Sequence, residues 1–230
     1  MVLNSNAIIT IDGAAGTGKS SVAVTLANRL GGQCLDSGAM YRAVAVLAKE
    51  QGIAPESSDI LAARVRDIGI HFNWEKSPPT VMLGDEDVSV RIREWDISGI
   101  VSSVAKQPAI RSVLMEQQRL IAEKHPLLIT EGRDQGSVVF PEALVRFFLK
   151  ADIAERIKRR AKQLSEAGNT IDEKEVELDI SNRDHIDSTR SDGPLICPEN
   201  AIVVDTSNQT LDEVVDFMEE KVRSVLNFHD

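Results

Sequence analysis

The sequence predicts an α/β protein: a five-stranded parallel sheet with helices on both faces and a small three-stranded antiparallel insertion. Three observations carry this. Five short apolar runs, at 7–11, 33–35, 126–130, 146–149 and 201–205, are separated by segments with apolar residues at helical spacing. The span 70–90 instead alternates polar with apolar residues across a Ser77-Pro78-Pro79 turn. The 230 residues suffice for one good core with an elaboration and are cramped for two, so 1–230 is expected to be a single domain.

Taken in order, the first run, Ala7-Ile8-Ile9-Thr10-Ile11, leads directly into Gly13-Ala14-Ala15-Gly16-Thr17-Gly18-Lys19-Ser20. This is a complete GxxxxGK(S/T) pattern. A loop that cradles phosphate must turn tightly with its N–H groups inward, which needs glycines, and must open a helix whose N-terminus favours an anion. Residues 13–21 are therefore the expected nucleotide phosphate-binding loop, with Lys19 reaching the β/γ-phosphates and the Ser20 hydroxyl, with waters, holding Mg²⁺. A chance match in a glycine-rich turn is the alternative, and the order strand, loop, helix speaks against it. The helix continues through 21–30 and stops at Gly31-Gly32.

Residues 33–35 form a short strand ending at Asp36-Ser37-Gly38, with Ser37 as N-cap of a helix over 40–49. A helix over 55–68 precedes the lobe at 70–90, whose strands are expected at 70–74, 80–83 and 88–90. Helical spacing returns over 94–106 and, with Pro108 in a first turn, over 109–123. The strands at 126–130, 146–149 and 201–205 complete the sheet. Between the last two, 165–177 is polar and acidic with a Gly168-Asn169 breaker, and is the expected mobile segment.

Bulk properties narrow the function. A net charge of −10 and a pI near 5 argue against a general nucleic-acid or anionic-membrane surface. Cys34 and Cys197 stand far apart, which fits a reducing, cytoplasmic setting and neither a disulfide framework nor a zinc site. The first apolar run is short and lacks a basic flank, so it reads as a strand and not a signal peptide, and no run is long enough to span a membrane.

Ligands of such sheets lie at the carboxyl ends of the strands, and arginine recurs there. Arg42 follows Ser37, Arg133 sits in a Gly132-Arg133-Asp134 turn, and Arg156, Arg159 and Arg160 begin the helix after Leu149. Arg183 and Arg190, seven apart, share one face if their helix is continuous. Phosphoryl transfer between two nucleotides must offset the charge of both, and guanidinium forks suit this. Plain solvated charge is the competing reading for Arg159 and Arg160.

The chain resembles the bacterial cytidylate kinases of the nucleoside monophosphate kinase group. The resemblance rests on 9–13 with the phosphate loop, on Leu35-Asp36-Ser37-Gly38-Ala39-Met40-Tyr41-Arg42, and on Glu131-Gly132-Arg133-Asp134 through Pro141. It continues through Glu155-Arg156 to Arg160, and through Arg183-Asp184-His185-Ile186-Asp187-Ser188-Thr189-Arg190 before Pro194-Leu195. It implies the P-loop kinase fold and ATP-dependent phosphorylation of CMP, and usually dCMP, with Mg²⁺. It also makes the 70–90 lobe the family's insertion in the monophosphate-binding region. Carried over, it places Ser37, Ser102, Arg111 and Asp134 near the cytosine base, Arg42, Arg133 and Arg190 on the acceptor phosphate, and Arg183 and Asp187 near the sugar.

Cytosine carries an amine donor beside ring acceptors, which a carboxylate such as Asp134 paired with a guanidinium such as Arg111 would satisfy. An N-cap role is the alternative for Asp134. Gln135, Ser137 and 196–200 depart from the family pattern, and His185 reads as a surface residue. Lys19, Arg133, Arg156 and Arg160 are the expected catalytic set, with 155–175 a short lid from which Arg156 or Arg160 reaches the γ-phosphate on closure. Glu131 would orient a metal-bound water. The chain is expected to act as a monomer. The runner-up is a kinase of another acceptor such as UMP, AMP or shikimate. A switch GTPase would need an Asn-Lys-x-Asp element, which the sequence lacks.

Overall fold

A computed structural model describes residues 6–166 and 172–226. Its strands are β1 (Ala7–Gly13), β2 (Gln33–Asp36), the short β3 (Ile70–Asn73), β4 (Thr80–Leu83) and β5 (Glu86–Asp87), and then β6 (Leu127–Gly132), β7 (Val145–Lys150) and β8 (Ile202–Asp205). The first two and last three form one parallel sheet in the order β2-β6-β1-β7-β8. Strands β3-β4-β5 form the separate antiparallel sheet. The connecting helices are α1 (Lys19–Leu30), α2 (Ser37–Glu50), α3 (Ser58–Ile68), α4 (Trp95–Ala105), α5 (Pro108–Lys124), α6 (Ile153–Glu166), α7 (Glu173–Thr189) and α8 (Leu211–Leu226). Among the described residues no helix is long and apolar enough to cross a membrane.

Period-two alternation divides the central strands between two cores. Ile9 and Ile11 of β1, Ile129 of β6 and Phe147 of β7 pack against Val22 and Leu26 of α1 and Val215 and Met218 of α8. Leu128 of β6 and Leu35 of β2 pack on the opposite side, with Met40, Val44 and Leu47 of α2 and Ile110 and Leu114 of α5. Residues 43–48 of α2 are all buried. That helix is wedged between the main sheet, its neighbouring helices and the antiparallel lobe, so it carries apolar side chains all round.

Four differences from the sequence reading have local causes. The lobe's third strand is Glu86–Asp87, not 88–90, because Leu83 pairs with Glu86 across a two-residue turn with Gly84 at φ 59°. The N-cap of α2 is Asp36, whose carboxylate accepts from the Ala39 amide, while Ser37 is the first helical residue. The helix α8 covers one sheet face and has no counterpart in the element-by-element reading above. The expected lid over 155–175 is divided between α6 and α7, and 167–171, with the Gly168-Asn169 breaker, lies outside the described residues.

The turn out of β1 tolerates no side chain. Gly13 has φ 156°, and a Cβ there would sit 2.3 Å from the Leu149 carbonyl oxygen of β7. Gly13→Ala is therefore expected to cost more than about 3 kcal/mol, since backbone on both sides must shift. Gly31 also has positive φ, at 69°, but its Cβ would meet open space, so Gly31→Ala should cost only about 1–2 kcal/mol. Equal losses in parallel thermal melts would contradict this account.

Candidate active site

Strands β1, β6 and β7 end on the same edge of the sheet, and every loop of the site leaves from that edge. The loop after β1 turns through Gly16 (φ 79°) and Gly18 (φ 90°), and Gly18 caps α1 without a side-chain hydrogen bond. The first amides of α1 are thus left for an anion. Lys19 lies buried at the first position of α1 and its Nζ donates to the Ala14 carbonyl at 2.7 Å. The Ser20 hydroxyl donates to Glu131 Oε1 at 2.5 Å.

These residues face a cavity of about 530 Å³ lined by Ala15, Gly16, Gly18, Lys19, Ser20 and Ser21 on one side and by Arg42, Arg133, Arg160 and Arg183 on the other. A smaller cavity of about 90 Å³ shares Gly38, Arg42, Arg133 and Arg183 with it, and is walled by Ser37, Ser102, Asp134, Asp187 and Arg190. The expected donor and acceptor residues thus line two connected spaces whose junction carries three guanidinium groups.

Of the residues expected at the acceptor, Arg111 lines neither cavity. It is fully buried on α5 and meets the wall of the smaller cavity through Asp134, whose Oδ2 accepts from its Nη2 at 2.6 Å, and through Tyr41, whose hydroxyl accepts from its Nη1 at 3.3 Å. Arg190 Nη2 adds a second contact to the same oxygen at 3.5 Å. Asp134 makes no capping bond to the π-helical turn Gln135–Val139 that follows it, so the N-cap alternative is not what the side chain does.

Arginines at the junction repel one another. Burial first, and then the neighbouring Arg183 and Arg160, push the Arg42 guanidinium down to about 9. Burial and then Arg183 lower Arg160 as well. Among the described residues the Arg42 side chain hydrogen-bonds only to neutral oxygens, the Ile92 carbonyl at 3.1 Å and the Ser98 hydroxyl at 3.0 Å. Arg133 is paired with Asp187 at 2.7 Å and Arg183 with Asp179 at 3.4 Å, so Arg42 and Arg160, which have no carboxylate partner among the described residues, are the cations left for a polyanion.

The lid arginines differ from one another. Arg156 is tied to Asp184 at 2.6 Å and to the Ala15 carbonyl at 3.1 Å, so it supports the phosphate loop from behind and is not in the cavity wall. Arg159 is bound to Glu155 and Thr206. Arg160 lines the cavity with Nε and Nη2 buried and unpartnered, which makes it the better placed of the two lid candidates.

One residue the sequence reading passed over joins the two halves. Asp12, buried at the end of β1, accepts from the amides of Gln135 at 2.8 Å and Gly136 at 2.7 Å. It fixes the loop carrying Arg133 and Asp134 to the strand that launches the phosphate loop. Burial raises its carboxyl to about 6 despite both hydrogen bonds. An acid closing a buried apolar strand needs such partners, and that was the available signal.

Burial, and then the Arg133 charge, push the Lys19 ammonium down to about 7 from the ordinary 10.5. Burial, and then the neighbouring Asp36, push Glu131 upward. A bound phosphate would restore the Lys19 charge. Nucleotide binding between about pH 7 and the ordinary lysine range is therefore expected to take up a proton. Calorimetry in buffers of different ionisation enthalpy at pH 8 reads this directly. Proton release, or an uptake that survives Lys19→Ala, would contradict it.

Ser20 and Glu131 offer a hydroxyl and a carboxylate oxygen, a set that suits a hard cation retaining water and phosphate ligands. No group of three His, Cys, Asp or Glu side chains able to hold a metal occurs among the described residues.

A parallel sheet whose first strand opens a phosphate loop, facing a second arginine-lined space at the same edge, defines a P-loop phosphotransferase of the nucleoside monophosphate kinase type. The cytidylate kinase family model matches residues 9–224. Over 221 residues the chain is 39% identical to a cytidylate kinase from Mycolicibacterium paratuberculosis, covering 96% of this chain and 97% of that one. It is 40% identical over 222 residues to one from Caldanaerobacter subterraneus, with 96% and 97% covered. The chain belongs to the cytidylate kinase family. A solved structure of an uncharacterized protein from Eubacterium ventriosum is similar at TM-score 0.55 and 14% identity, over 95% of this chain and 99% of that one, which is a likeness of fold alone.

Proposed function

We propose that this protein transfers the γ-phosphoryl group of ATP to CMP, and to dCMP, giving the diphosphates, as a monomer in the cytoplasm. The observation that carries the acceptor assignment is the Arg111–Asp134 pair. Both guanidinium contacts fall on Asp134 Oδ2, which leaves Oδ1 to accept from the exocyclic amine of cytosine. Ser37 and Ser102 line the same space. In this reading Arg42, Arg133 and Arg190 hold the acceptor phosphate, Arg183 and Asp187 lie toward the sugar, and residues 13–21 hold ATP.

The chemistry is positioning with charge stabilisation, because the acceptor phosphate oxygen is already anionic and needs no strong base. Lys19 follows the transferring group, and Arg160 from α6, with Arg133 opposite, neutralises its equatorial oxygens. Arg156 acts by keeping the phosphate loop in place. Mg²⁺, when bound to Ser20 and waters that Glu131 orients, would offset charge on the β- and γ-phosphates. A steady-state assay of ATP with CMP, dCMP, UMP and AMP tests the reading. Turnover is expected with CMP and dCMP, and a flat response across all four would overturn it.

A further inference from the structure

The 3-10 turn Arg91–Arg93 links the antiparallel lobe to α4, and its two arginines have opposite fates. Arg91 is neutralised three times over, by Glu94 at 2.7 Å, Asp96 at 2.8 Å and Glu50 at 3.6 Å. Arg93 has no hydrogen bond or ion pair through its side chain among the described residues, and it is exposed. It nevertheless lines the 530 Å³ cavity together with Lys19, Arg42, Arg133, Arg160 and Arg183. It also lines a neighbouring cavity of about 390 Å³ that shares Ser20, Ser21, Asp36 and Glu131 with the first.

Arg93 is the seventh cation in a lining that holds only two carboxylates, Asp36 and Glu131, and so large an excess of positive charge is unfavourable unless an anion sits among them. The turn is also tied to the site. The carbonyl of Ile92, the residue between the two arginines, accepts from Arg42, so Arg93 and Arg42 are set by one short piece of backbone. Ile92 itself is buried, which anchors the turn.

We propose that Arg93 is a further phosphate-contacting residue, a guanidinium that the insertion lobe supplies to the phosphate groups lying between the two nucleotides. This rests on the kinase reading above but not on which acceptor is used. The ligand chemistry is a phosphate oxygen, which belongs either to the donor triphosphate or to the acceptor monophosphate.

The test compares wild type, Arg93→Gln and Arg93→Lys in two measurements. In steady-state kinetics Arg93→Gln is expected to lower kcat/KM about tenfold or more, with Arg93→Lys recovering part of it. A rise in the ATP KM assigns the contact to the donor, a rise in the CMP KM to the acceptor, and a fall in kcat alone to the transferring group. In calorimetry with inorganic tripolyphosphate, Arg93→Gln is expected to bind about tenfold more weakly where the contact is to the donor phosphates, and unchanged with a raised CMP KM where it is to the acceptor. Failure of the wild type on every nucleotide would sink the kinase reading alone. Tripolyphosphate affinity and both KM and kcat values all within twofold of wild type in Arg93→Gln, or equal impairment of both variants with a lowered Tm, would overturn the role of Arg93.

Discussion

Replacing Lys19 by alanine is expected to lower kcat by about a thousandfold or more while leaving a protein that still melts cooperatively. The loss falls on kcat because ground-state phosphate binding has other sources. The uncapped N-terminus of α1 and the junction arginines remain in the variant. What disappears on the proposed reading is the ammonium whose charge bound phosphate restores, next to the loop where the Ala14 carbonyl holds Lys19 Nζ. The fold should survive for an electrostatic reason. The Lys19 pKa is lower folded than unfolded, so its charge opposes folding below about pH 7, and this opposition fades as pH rises through the window up to 10.5. Removing the side chain relieves that penalty, which offsets the lost packing of its buried stem. A kcat within tenfold of wild type would contradict the assignment of Lys19.

How much of this was legible in the sequence depended on the range of the interaction. The phosphate loop was readable because glycine torsions, the Lys19 position and the start of α1 are all set within eight residues. The central strands β1 and β6 were readable because burial on both faces leaves nearly unbroken apolar runs, whereas the edge strand β8 has Val203 exposed. Strand β5 was not, since Glu86 and Asp87 are exposed and are strand only through pairing with Met82 and Leu83. The role of Asp12 was hidden because its partners lie more than 120 residues away in the chain. Likewise, several arginines could be placed near the site, but only geometry distinguishes them. Arg156 spends its guanidinium on Asp184 and the loop carbonyl, Arg159 on Glu155 and Thr206, and Arg160 keeps buried donors toward the cavity. Spacing along a helix gives a face and says nothing about which partner a long side chain finds.

Asp134→Ala is expected to abolish most of the preference for CMP over UMP, read as the ratio of their kcat/KM values in a competition assay. In the wild type a uracil would bring a carbonyl oxygen against the carboxylate in place of an amine. A site built to bond one edge rejects the other by up to about 10⁴-fold, so at least a hundredfold loss of selectivity is a measurable expectation. The substitution also strikes stability, because Arg111 is buried and removing one partner of a buried pair costs about 3–5 kcal/mol. Asp192, 3.0 Å from Arg111 Nε, keeps part of the compensation, which places the expected loss near the lower end of that range. Asp134→Asn separates the two effects. Its amide oxygen can still accept from Arg111, so the variant should melt closer to wild type, while its NH2 then faces the base and donates to the uracil carbonyl, so the preference for CMP should be lost. A well-folded Asp134→Asn protein that still prefers CMP as strongly as wild type would show that the base is read elsewhere.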